Sequence, residues 1–279
     1  MQEEHQLLSD KVFPELQRVC AERGTFFNPV DIQWSKGDTL VQKGHLLTAA
    51  FRYIERCAPF FIGLLGERYG YYCRSDPTMM MQSNSGDDGG IGLESDDTAA
   101  AAAGVGGADW LARNLLTAAA CGHDWLLDEN TRCKSVTELQ VLYAAFKSCP
   151  RRHLLYDDAE SQCHFYYRQP EYKDAYMTHL PPAARAQKLR QLEPEDDYCN
   201  EQCRRLKGDV IKRGHSVRYY TTLTELADYV LRDWRAVIDE FCPPIYQALN
   251  ISNKKGIVLS PSQRVLCVYM GGGSGGVTS

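Results

Sequence analysis

Phe60-Phe61-Ile62-Gly63-Leu64-Leu65-Gly66 decides the fold. It is a short, continuous apolar run behind Pro59, with no polar alternation, as expected of a strand covered on both faces. Such strands belong to parallel sheets packed between helices. The neighbouring sequence agrees. Upstream, residues 39–57 read as a helix with Leu47, Ala50, Phe51 and Ile54 on one face. Before that, 25–32 reads as a strand. Residues 3–23 read as a helix, with Leu8, Val12, Leu16, Val19 and Cys20 at three-four spacing, a kink at Pro14 and a stop at Gly24. Downstream, helices are predicted over 135–147, 195–213 and from Thr222, where Thr222 and Glu225 form a capping box. Strands are predicted at 164–168 and 216–220. Strands alternating with helices give an α/β fold, a flavodoxin-like parallel sheet flanked by helices.

In that order of strands the first is central, yet this chain opens on a helix. Either the central strand lies upstream or another element fills its place, because a gap there leaves backbone groups unpaired. Composition shifts at 75–108, which holds Met79-Met80-Met81, Asp87-Asp88-Gly89-Gly90 and an alanine run from Ala99 to Ala103. This segment reads as a disordered insertion. At the other end, Val265-Leu266-Cys267-Val268-Tyr269-Met270 leads into a glycine-rich run. The register of a phosphate-binding loop fits Gly271, Gly276 and Thr278, but Val277 stands where the loop's lysine belongs.

Charge and composition narrow the function. Of 279 residues, 44% are hydrophobic and 24% charged, enough for a sizeable core. A net charge of −5 argues against a dominant DNA- or RNA-binding surface, and no RNA-reading motif is present. No apolar stretch approaches the about 18 residues of a membrane span. The 11 cysteines are scattered through apolar patterns, which suits a reducing compartment.

Several blocks resemble one module, the TIR-like α/β domain that precedes NACHT-type NTPase domains in STAND scaffold proteins such as telomerase protein component 1 and nephrocystin-3. Phe61 through Tyr71, Phe-Ile-Gly-Leu-Leu-Gly-Glu-Arg-Tyr-Gly-Tyr, carries the resemblance most fully. Val12-Phe13-Pro14-Glu15-Leu16, Ser135-Val136-Thr137-Glu138-Leu139 and Phe165-Tyr166-Tyr167-Arg168 match further blocks. Asp31-Ile32-Gln33-Trp34-Ser35 matches a block that in the family reads Asp-Leu-Arg-Trp-Gly, so its Arg and Gly are absent here. The resemblance implies a TIR-like domain over 1–242 whose first strand is truncated. It also implies a linker and the truncated start of a NACHT P-loop domain over 243–279. Implied with it are a non-enzymatic interaction and regulatory role, protein partners or self-association, and a cytoplasmic or, if nephrocystin-like, ciliary location. No cofactor is expected in this segment; ATP or GTP with magnesium belongs to a complete NACHT domain.

Glu138 is the catalytic candidate, because TIR domains that cleave NAD carry a Glu on a comparable helix. The competing and favoured reading is a cap, since Ser135 and Glu138 have capping-box spacing. Glu67, Arg68 and Tyr69 follow a strand at the end where open α/β sheets bind ligands. Their alternative is an internal ion pair with a packed ring. Asp31 and Trp34 close another strand. Cys199 and Cys203, with His215 downstream, offer metal-ligand types, but both cysteines fall on the apolar stripe of a helix and read as core.

Overall fold

The computed structural model describes residues 1–74, 76–77, 108–147, 162–177, 181–243 and 265–271. The expected insertion therefore lies almost wholly outside the described residues. The first helix forms as read. α1 (Gln2–Leu7) runs through a π-helical turn, Leu8–Val12, into α2 (Phe13–Glu22), and Gly24 ends it at φ 70°. Pro14 sits in the first turn of α2, where its missing N–H costs little, and the π turn takes up the break. β1 (Phe26–Asp31) follows.

The helix expected over 39–57 is two: α3 (Thr39–Gln42) and α4 (Leu46–Cys57). Gly44 breaks it at φ 78°, and a Cβ there would lie 2.9 Å from Thr117 Oγ1. The new helix start is completed from α5 (Ala108–Ala120). Asn114, fully buried, accepts from the Leu46 amide at 2.7 Å and donates to Val41 and Trp110 carbonyls. β2 (Phe60–Leu65) is buried at all six positions. α6 (Val136–Val141) continues through a π turn, Leu142–Phe146. β3 (Gln162–Arg168), α7 (Tyr172–Met177), α8 (Pro182–Leu192), α9 (Asp197–Lys212), β4 (Ser216–Tyr220) and α10 (Leu223–Phe241) complete the alternation. The capping box of Thr222 and Glu225 is made in full.

The sheet is five-stranded and parallel throughout, in the order β1-β5-β2-β3-β4, where β5 is Val265–Gly271. The interior place that called for either an upstream strand or another element is thus filled by the final strand. β5 pairs with β1 from Phe26↔Val265 to Asp31↔Met270, and with β2 from Phe61↔Tyr269 to Gly63↔Gly271. The physical reason is backbone satisfaction: a central gap strands two rows of donors and acceptors, and β5 meets both. The apolar run that reads as the first strand of a separate NACHT domain is equally suited to that slot. Within 243–279, then, the described strand belongs to the same sheet as 1–242.

β2 divides its side chains between two cores. Phe61 and Leu65 join α4, α5 and α6, whereas Phe60, Ile62 and Leu64 join the α1–α2 helix and α10 around Trp234. This two-sided burial is what the opening sequence run foretells.

Candidate functional site

Because all five strands are parallel, Asp31, Glu67, Arg168 and Gly271 come to one edge, the carboxyl end at which α/β sheets hold ligands. The centre of that edge is ionic and buried. Arg168, 3% exposed, donates from Nη1 to Glu4 Oε1 at 2.9 Å and from Nη2 to Glu67 Oε2 at 3.0 Å. The Tyr220 hydroxyl adds a bond to Glu4 at 3.3 Å. Gly66 makes room, since a Cβ there would lie 2.6 Å from Arg168 Nη2. Burial pushes the Glu4 carboxyl up, but the Met1 amine and Arg168 outweigh it and hold it at about 2. A buried ion of this kind is tolerable only with such partners.

A second network begins one residue on. Glu195 accepts from Arg68 Nε at 2.9 Å and from the Tyr69 and Gly70 amides at 3.2 and 3.3 Å. The buried Tyr69 hydroxyl accepts from the Ser135 amide at 3.2 Å and donates to the Glu138 carboxylate, which also takes the Lys134 ammonium. Burial, then the Glu138 charge, holds the Tyr69 phenol far above its ordinary value. Here the capping expectation is half right. Ser135 Oγ accepts from the Glu138 amide at 3.1 Å, but the Glu138 carboxylate turns to Tyr69 and Lys134, with no return bond to the Ser135 amide. Charge-assisted bonds inside a buried helix win over the reciprocal cap.

Asp31 is bound by His5 Nδ1 and Gln33 Nε2, each at 2.8 Å. Trp34 does not join the ionic centre; it packs on Tyr71 and Trp110 at 5.7 and 5.3 Å. Gly271 ends β5, where a Cβ would meet the Phe61 ring at 2.8 Å. Gly276 and Thr278 lie outside the described residues. Cys199 and Cys203 cluster with Tyr69, whereas His215 stacks on Phe146 at 6.0 Å.

Sequence reasoning missed Glu4, Lys134, Arg168 and Glu195. Arg168 closes a strand that is plain in the sequence, but its partner Glu4 is 164 residues away. Nothing local marks either as half of a pair. Chemically, the edge fixes charge and clamps loops together. Its carboxylates are engaged by cations, a phenol or amides, and Glu138 is committed to two side chains.

No family model matches the chain, and no solved structure does. Among curated proteins, the chain is 30% identical over 266 residues to tetratricopeptide repeat protein 41 of Rattus norvegicus, covering 91% of this chain and 18% of the relative. Tetratricopeptide repeat protein 41 of Mus musculus is 29% identical over 255 residues, 87% of this chain and 17% of the relative. A shorter match, 33% over 73 residues, covers 24% of this chain and 4% of NACHT and WD repeat domain-containing protein 2 of Homo sapiens. The chain is thus homologous to tetratricopeptide repeat 41 proteins and spans less than a fifth of the length of those relatives.

Proposed function

We propose that the chain is a non-enzymatic protein-interaction and regulatory module, the TIR-like α/β part of a NACHT-type STAND scaffold acting in the cytoplasm. The observation that carries this reading is the state of Glu138. A catalytic carboxylate must face its substrate. This one is 4% exposed, and its oxygens are held by Tyr69 and Lys134. Homology to tetratricopeptide repeat proteins supports a role in protein assembly, as does the short match to a NACHT and WD repeat protein. Partners are proteins or further copies of the chain. The glycine-rich run from Gly271 lacks the lysine of a working phosphate loop, with Val277 in its place. Nucleotide use is therefore assigned to a complete NACHT domain, with ATP or GTP and magnesium. The test is incubation of wild type and Glu138→Gln with NAD while following nicotinamide release. No release is expected from either. Release by wild type that vanishes in the variant, while the variant still melts cooperatively as a folded protein, would replace this reading with an NAD-cleaving one.

A further inference from the structure

A cleft of about 460 Å³ opens between α4, the 121–125 segment and the end of the helix after α6, lined by residues that play no part in the carboxyl-edge networks. Its size suits a small molecule, for which pockets run from about 300 to 1,000 Å³. One wall is aromatic: the Trp125 and Tyr143 rings are parallel within 2° at 6.0 Å, and Phe51 backs Tyr143 at 4.6 Å. The other groups are polar. Lys147 Nζ rests over the Trp125 ring at 4.2 Å from its centre. Neither Lys147 nor Arg52 has a carboxylate partner among the described residues. The Thr48 hydroxyl is buried without a hydrogen bond. The negative group in the lining, Glu55, is engaged by the Tyr143 hydroxyl. His123 is held below its ordinary value by burial, so it is neutral at pH 7.

We propose that this cleft binds a small planar anion, with its ring on Trp125 and its anionic group between Arg52, Lys147 and the Thr48 hydroxyl. The resting contact of Lys147 on Trp125 marks the ring's place. A cation on an indole face contributes modestly in water. A stacked ring can take its place, freeing the ammonium for the anion, where a charge-assisted bond is stronger. Among the described residues, two cations without a carboxylate partner against one engaged carboxylate give the sign of the ligand. The aromatic wall gives its shape.

The probe is adenosine monophosphate, with adenosine and inorganic phosphate as separate arms for ring and anion. Calorimetric titration should show saturable binding of the monophosphate, with each half-ligand weaker by about tenfold or more. Arg52→Glu, at an exposed position, should weaken the monophosphate by at least about tenfold while melting stays unchanged. Trp125→Phe should abolish the fluorescence change that accompanies binding. No saturable heat up to millimolar monophosphate would overturn the proposal, as would unchanged affinity in Arg52→Glu. Equal affinity for phosphate alone would overturn the ring's role, and equal affinity for adenosine the anion's.

Discussion

β2 and β5 lie side by side at the middle of the sheet, yet they come to that position by different routes. β2 follows α4 directly and pairs with β3 along its whole length, from Phe60↔Gln162 to Leu65↔Tyr167. β5 arrives from the far end of the chain, pairs fully with β1, and meets β2 at three positions. Both are apolar runs, and both read as strands. What differs is how they are tied down. The end of β2 leads into Glu67, Arg68 and Tyr69, each fixed by an ion pair or a buried hydroxyl bond. The end of β5 is Gly271, packed against the Phe61 ring. Composition thus specifies that a segment is a strand, but not which strand it will lie beside.

If the two strands are equally central, a charge placed in either should be ruinous. Ile62 and Val268 are both fully buried in the same core. Ile62→Asp and Val268→Asp should each cost more than about 4 kcal/mol, seen as loss of the folded baseline in a urea titration. A mild Val268→Asp beside a ruinous Ile62→Asp would break the equivalence.

Among the described residues the ionic lock behind β2 has no counterpart at β5, and pH should expose it. Glu4 is held at about 2 when folded, against 4.5 for the free group. A depressed carboxyl stabilises the fold above its unfolded value, and that stability is lost as pH falls from about 4.5 toward 2. The contribution is at most about 3 kcal/mol. In Glu4→Gln, melting temperature should fall at pH 7 and its slope over that acid window should flatten. A slope unchanged from wild type would show that the lock is not what titrates.

Glycine substitutions compare the two strands on packing. A Cβ at Gly63 would come within 2.3 Å of Phe165 Cδ1, whereas at Gly271 the nearest atom is Phe61 Cζ at 2.8 Å. Overpacking costs about 1–3 kcal/mol, so Gly63→Ala should lie at the top of that range and Gly271→Ala at the bottom. Denaturant midpoints in the reverse order would contradict the register. The smallest effect is expected at Glu138→Gln, which keeps acceptor capacity for Tyr69 but loses the charge facing Lys134. A loss of about 1 kcal/mol should appear in thermal melting. A change of several kcal/mol would mean that the charge itself holds α6 in place.

The legible parts of the molecule are those whose signals are local. The run at 60–66, the apolar stripe of α9 and the Thr222–Glu225 cap were all readable because periodicity and spacing operate within a few residues. The break at Gly44 was not, because the Asn114 side chain that completes the new helix start lies 68 residues away. The same limit governs the candidate site. Glu67, Arg68, Tyr69 and Glu138 could be named from strand ends and helix starts. Their partners Arg168, Glu195 and Lys134 could not, as two of them are brought in by the sheet and by the turn before α9. Even Lys134, four residues from Glu138, carries no sign of the buried Tyr69 that shares the carboxylate. The capping-box spacing at Ser135 pointed to a bond the fold declines, since a buried phenol competes for the same oxygen.

The position of β5 can be read directly by hydrogen exchange, resolved to peptides covering 61–64 and 266–270. Parallel pairing inside the sheet predicts that the ladder-bonded amides of both sets exchange only through global opening. Exchange of 266–270 at the rate of an unfolded peptide, while 61–64 stays protected, would contradict β5 as an interior strand between β1 and β2.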